Sequence, residues 1–174
     1  MERRIVLLDA CQPITFGSVD RLDLLLNLER HAVAIGARAA SEVVCDPART
    51  LTRSAIEDGS LPVASVDPEQ LDELSALARY DSMLAFQGRG EAEVLAIAEA
   101  RGHIVGTDDE AVLRTAVRVP GITGIVTSLD LIVWAIREER ITIRQSEGLI
   151  DRLDIGLRIR DRLNRLGRKL PELV

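Results

Sequence analysis

Short apolar runs that end on an acid and then give way to helical periodicity constrain this chain more than anything else in it. Ile5-Val6-Leu7-Leu8 is apolar at every position and is followed by Asp9. A run that is apolar on both faces reads as a strand covered on both sides, the condition of a central strand in a parallel sheet. His103-Ile104-Val105-Gly106 repeats the pattern and leads into Thr107-Asp108-Asp109. Further strands are expected at Ala32-Val33-Ala34-Ile35, Leu61 to Val66 and Val117 to Ile122.

Helical segments alternate with these runs. They are expected from Ser18 to Glu29, from Ala37 to Cys45, from Pro47 to a stop at Asp58-Gly59, and from Asp67-Pro68 to Ala78. Glu91 to Ala100 is closed by Gly102, Asp108 caps a helix through Ala116, and Thr123 to Glu138 holds an almost wholly apolar helix. Strand and helix in alternation mean βαβ units, hence an α/β fold with a central, mostly parallel sheet between helical layers. At 174 residues one such domain is expected, spanning 1–150, with an amphipathic basic helix over 151–174 packed on it or extending from it.

In that C-terminal segment Ile155, Ile159, Leu163, Leu166 and Leu170 form an apolar stripe at helical spacing. Arg158, Arg162, Arg165 and Lys169 run beside it, roughly 100° around the helix. The stripe is either the solvated flank of a docked helix or a surface for nucleic acid or a partner chain. Asp151 to Val174 carries seven Lys and Arg against four Asp and Glu, so a basic end sits on an acidic body within a net charge of −6. That balance disfavours nonspecific nucleic-acid binding by the whole surface and permits it locally. With only Phe16, Phe86, Tyr80 and Trp134 as aromatics, a base-stacking surface that reads single strands through several rings is poorly supported. Cys11 and Cys45 form neither a zinc spacing nor a disulfide framework, no signal-peptide core or bilayer-spanning run is present, and a cytoplasmic protein is expected.

The acids carry the functional reading. Asp9, Glu91 and Asp109 each stand where one element passes to the next, and in a parallel α/β sheet such points gather at the carboxyl edge. Helix chemistry alone explains any one of them, since Glu91, Glu93 and Asp109 open helices and Asp108 is placed to cap one. Together they form a cluster that needs a cation, and oxygen-only donors select Mg²⁺ or Mn²⁺. His31 and His103 lie in unrelated segments. No P-loop, dinucleotide fingerprint or serine nucleophile elbow is present.

Val6-Leu7-Leu8-Asp9-Ala10-Cys11 resembles the opening of a PIN domain, and Gly90-Glu91-Ala92-Glu93 resembles the Gly-Glu-Ala-Glu helix of one PIN subfamily. His103 to Ala111 is similar to that family's last strand and Thr-Asp-Asp turn, and Gly121-Ile122-Thr123-Gly124 to its C-terminal region. The resemblance covers Ile5 to Leu153. It implies a three-layer α/β/α PIN-like fold and a Mg²⁺- or Mn²⁺-dependent endoribonuclease, the toxin of a toxin–antitoxin pair. On it Asp9, Glu91 and Asp109 match the first, third and fourth acids. Asp108 shares the metal or caps the helix, and Glu42 matches the second acid, with Asp46 as its fallback. It further implies an RNA substrate, a small antitoxin and a homodimer. Cys11 replaces a hydroxyl or amide residue, and Gln12-Pro13 departs from the apolar continuation and is placed to break the helix start. Two other classes compete: a binding module on the same fold that has lost catalysis, and a different Mg²⁺-dependent phosphate enzyme, which would need an Asp-x-Asp motif that Asp9-Ala10-Cys11 lacks.

Overall fold

The computed structural model describes residues 3–26, 28–83, 89–166 and 169–173. Five strands form one wholly parallel sheet: β1 (Arg4–Leu8), β2 (His31–Gly36), β3 (Val63–Ala64), β4 (Ile104–Gly106) and β5 (Gly124–Val126). Their spatial order is β3-β2-β1-β4-β5. The chain therefore winds outward from β1 to β3, returns across the sheet, and winds outward again through β4 and β5. The order reverses between β1 and β4, which makes that gap the topological switch point. Leu8 pairs in register with Ile35 on one side and with Gly106 on the other, and Gly106 pairs with Val126. The carboxyl ends of the three central strands are thus level.

Val6, Leu7, Leu8, Ile35 and Val105 are fully or almost fully buried, as expected for strands covered on both faces. The helices are α1 (Cys11–Gly17), α2 (Asp23–Leu26), α3 (Ala37–Glu42), α4 (Ala48–Glu57), α5 (Leu71–Met83), α6 (Arg89–Arg101), α7 (Glu110–Ala116), α8 (Ser128–Arg137), α9 (Ile143–Arg152) and α10 (Gly156–Leu166). α6 is the most enclosed, with every residue from Ala92 to Ala98 buried. It packs against α5, α3 and strands of the sheet, and a helix surrounded this way has to be apolar all round. Arg101 closes it with a fork on Glu73 of α5, at 2.7 and 2.9 Å, and also donates to the Ser65 carbonyl. Glu73 is buried, and the Arg101 guanidinium holds its carboxyl below the usual range. Arg101→Ala should cost about 2–3 kcal/mol in urea unfolding at pH 7, because it leaves that carboxylate uncompensated. The deficit should shrink as pH falls through the depressed Glu73 pKa, where the native pair is itself lost.

Local chemistry moves several boundaries from those expected. The first helix opens at Cys11 rather than Ser18. Pro13 falls in its first turn, where the missing amide hydrogen has no intrahelical partner to lose, so Gln12-Pro13 starts the helix instead of breaking it. Residues 18–20 form the turn that ends it, with Asp20 at φ 58°. The strand expected at Val117 to Ile122 is a series of turns, and the last strand is Gly124–Val126. The apolar run through Ile136 divides at Thr127, whose amide and hydroxyl both donate to Asp130 and start α8. α5 begins at Leu71 because the Asp67 carboxylate takes the Glu69 amide and holds a turn before it. α3 ends at Glu42, which leaves Cys45 exposed rather than in the core. Phe86 lies outside the described residues.

At the C-terminus α10 carries Ile155 at its threshold and Ile159 into the core. A Cβ on Gly156 would stand 2.1 Å from the Ile150 carbonyl oxygen, so only glycine lets α10 start this close to α9. Lys169 does not continue the basic stripe of α10. Its backbone is extended, at φ −93° and ψ 155°, and it precedes a separate 3₁₀ turn over Leu170–Glu172.

Candidate active site

Level strand ends place the residues that follow them side by side. Asp9 leaves β1 at the switch point, and its amide donates to the Gly106 carbonyl at 3.0 Å. Thr107 leaves β4 next to it, and its hydroxyl donates to Asp9 Oδ2. The other Asp9 oxygen accepts from the Cys11 amide at 2.8 Å. Gln12 is fully buried beneath them: turned to satisfy both ends, its amide donates to the Gly106 carbonyl at 2.6 Å and to Asp9 Oδ1 at 3.2 Å, and accepts from the Thr107 amide at 2.6 Å. One α1 residue thereby stitches together the two strands that flank the switch point.

Asp9 is 3% exposed, and burial pushes its carboxyl up to about 7, against the pull of the Cys11 and Thr107 hydrogen bonds. Cys11 sits between Asp9 and Asp108. Burial, together with both carboxylates, pushes its thiol up, so it stays protonated. Its sulfur accepts from the Asp108 amide at 3.1 Å.

The Thr-Asp-Asp turn divides its two acids. Asp109, not Asp108, caps α7: one of its oxygens accepts from the Ala111 and Val112 amides at 2.8 and 3.0 Å. Asp108 turns toward β5 and α8, where both its oxygens accept from Ser128, one from the amide at 3.0 Å and the other from the hydroxyl. Burial pushes the Asp108 carboxyl up, while Ser128 and the positive charge of Arg158 and Arg162 pull it back.

Glu91 and Glu42 approach from α6 and α3. α6 runs antiparallel to the sheet, so its first turn lies at the carboxyl edge. Gly90 lets α3 come close, since a Cβ there would stand 2.7 Å from Glu42 Oε2; its amide donates to Glu42 Oε1 at 3.0 Å. Glu91 Oε2 is buried and has no hydrogen-bond partner among the described residues. Its carboxyl is pushed up by burial first, and then by the charges of Glu42 and Asp109. Glu93, the alternative on the same helix, is committed elsewhere: it accepts from the Arg38 amide at 2.6 Å and so caps α3. Asp46 pairs with Arg49 and Thr50 at the exposed start of α4.

The sequence-derived acids Asp9, Glu91 and Asp109 therefore share one edge, with Glu42 beside Glu91. Their donor set is oxygen only, which suits a hard cation. The orphan oxygen of Glu91 is the atom such an ion would satisfy. Protein donors already meet two of these acids: Ser128 occupies both oxygens of Asp108, and Cys11, Gln12 and Thr107 occupy both of Asp9. The carboxylates do not stand as a ready coordination shell: among the described residues no three His, Cys, Asp or Glu side chains are grouped to hold an ion. Sequence reasoning missed Gln12, Thr107 and Ser128; of these only Thr107 adjoins an acid in the chain, and Ser128 reaches Asp108 only through the fold. His31 stacks on Trp134 at 4.0 Å between ring centroids, at the opposite end of β1 and β2 from the acids.

The basic residues of α10 form one wall of a cavity of about 570 Å³ that reaches Asp108, and Arg158, Arg162 and Arg165 line it. Lys169 does not. Among the described residues no helix is long and apolar enough to cross a membrane. No family model matches the chain, and neither does any curated protein.

Proposed function

We propose that this chain is a Mg²⁺- or Mn²⁺-dependent endoribonuclease, the toxin of a toxin–antitoxin pair, cytoplasmic and homodimeric. The observation that carries the reading is the buried Glu91 Oε2, without a hydrogen-bond partner among the described residues and under the charges of Glu42 and Asp109, at the sheet edge that also bears Asp9. Burying like charges together without a counter-ion is unfavourable, and a divalent cation removes the conflict. Asp9, Glu91 and Asp109 would hold the ion. When bound, it supplies an acidified water and a polarised phosphoryl oxygen. Glu42, anchored through one oxygen by the Gly90 amide, keeps the other for orienting that water. Asp108 acts as a positioning residue that ties the Thr107–Asp109 turn to α8 through Ser128. The antitoxin follows from the PIN-domain resemblance, with an Arg offered to the same carboxylates.

A second reading, a binding module of the same fold without catalysis, draws on the protein donors that already saturate Asp9. The test is a structured RNA pool incubated with the purified protein in Mn²⁺ and in EDTA. Cleavage in Mn²⁺ should yield 5′-phosphate and 3′-hydroxyl ends, vanish in EDTA and return when the metal is restored. Cleavage that persists in EDTA overturns the metal mechanism. Intact RNA in both arms favours the binding module.

A further inference from the structure

The cavity beside α10, of about 570 Å³, is not used by the proposed metal ligands Asp9, Glu91 and Asp109. Asp108, on the carboxyl edge of the sheet, and residues of α10 both line it. Arg158, Arg162 and Arg165 fall on one side of that helix at one- and two-turn spacing, so their backbone positions are separated by about 6 and 10 Å. Among the described residues Arg158 and Arg162 make no ion pair or hydrogen bond, and Arg165 makes only a long contact to the Asp161 carbonyl at 3.4 Å. Their neighbour Arg160, outside the cavity, is by contrast paired with Asp151. The opposing Glu110 is already paired with Arg114 at 3.4 Å. The charge of Arg158 and Arg162 bears on Asp108 without a hydrogen bond to it, which leaves their guanidinium groups as fork donors for planar or tetrahedral anions.

We propose that this groove binds the phosphate backbone of a single RNA strand and leads it to the acidic edge, with α10 as the grip. This rests on the nuclease reading and adds where the substrate lies. Three features favour a strand over an acidic polypeptide. The arginines repeat along one line, as phosphates do, and the cavity they line reaches Asp108, next in the chain to the proposed ligand Asp109. The remaining lining is mostly aliphatic, Ile125 and Ile159 among it, with Thr127 and the Asp161 carboxylate, and it includes no aromatic ring, so bases rest against it without being stacked or read. Binding is therefore sequence-tolerant and carried by charge.

The experiment measures binding of a fluorescent single-stranded oligoribonucleotide in EDTA, where nothing is cut, over a series of salt concentrations. Wild type should show a log–log salt slope of about −2, three phosphates at about −0.7 each. The double variant Arg158→Ala/Arg162→Ala should bind at least about tenfold more weakly, with the slope reduced to about −0.7. Arg53→Ala removes one charge from α4, away from the groove, and should leave affinity within about twofold. Both variants lie on exposed or half-exposed positions, and thermal unfolding checks that they fold. Equal binding by the double variant and wild type overturns the groove, as does an equal loss in Arg53→Ala. Displacement of the strand by poly-glutamate at lower charge concentration than by poly-uridylate overturns it in favour of an acidic protein partner. Groove binding without Mn²⁺-dependent cleavage would leave the groove and sink the nuclease reading. Cleavage with unaltered binding in the double variant would do the reverse.

Discussion

Metal-free protein should lose stability as pH rises from 5 to 7, and Asp9→Asn should abolish most of that loss. The Asp9 carboxyl titrates near 7 in the folded chain against 3.8 in the unfolded one, because burial disfavours its charge. Between those values the folded state holds a proton that the unfolded state has released, so unfolding becomes easier as pH increases. The penalty grows through this window and levels off above about pH 7. At 1.36 kcal/mol per pH unit it amounts to about 3 kcal/mol over the part accessible above pH 5. Other groups titrate in the same range, and His31 and His103, whose pKa values are lowered by burial, oppose the trend. The difference between wild type and Asp9→Asn isolates the one carboxyl. Urea unfolding in EDTA at several pH values measures it, and the variant should be the more stable protein at pH 8. Millimolar Mn²⁺ at pH 8 should then raise the unfolding midpoint of wild type and leave Asp9→Asn unmoved, since binding to the native state alone stabilises it. A difference curve flat across pH would show that Asp9 is charged and satisfied in the fold, and the metal role assigned to it would go with that.

Glu91→Gln should separate stability from activity. The amide keeps the shape of the side chain and removes a charge that Glu42 and Asp109 both oppose. The folded protein should therefore be unchanged or gain up to about 1 kcal/mol. RNA cleavage in Mn²⁺ should fall by at least about 10³-fold, a loss of several kcal/mol of transition-state stabilisation that no other residue in the first turn of α6 can replace. Glu93→Gln provides the contrast: it disturbs the cap of α3 and should lower stability, because Glu93 serves the Arg38 amide. A Glu91→Gln protein that is destabilised by 2 kcal/mol or more and still cuts RNA would mark Glu91 as a structural acid.

Together the two variants test opposite sides of one arrangement. A site built for a cation holds carboxylates in a geometry that is unfavourable without it. Its residues should cost stability in the metal-free protein and be indispensable to the reaction. Acids that merely cap helices behave the other way, and Asp109 is both: its Oδ1 holds two α7 amides while its charge bears on Glu91.

The amino-acid sequence alone determined the alternation of buried strands and helices, and with it the parallel α/β sheet. The reason is physical: a run such as Ile5–Leu8 is apolar on both faces, and helix periods such as that of Glu91–Ala100 bury one face or more wherever they pack. It also placed Asp9, Glu91 and Asp109 at element boundaries, since an acid after an apolar run or before a helical one is local information. Boundaries set by capping escaped it. Whether Asp108 or Asp109 starts α7, and where the run through Ile136 divides, depend on which side chain captures which amide, and both acids carry the same chemistry. Tertiary structure alone decided the rest. The reversal of strand order between β1 and β4 brings Asp9 against Thr107, 98 positions apart in the chain. Packing of α3 on α6 puts Glu42 against Gly90, one buried oxygen of Glu91 has no partner among the described residues, and the docking of α10 turns a basic stripe into the wall of a groove. Those contacts join segments far apart in the chain, and no periodicity within either segment encodes its partner.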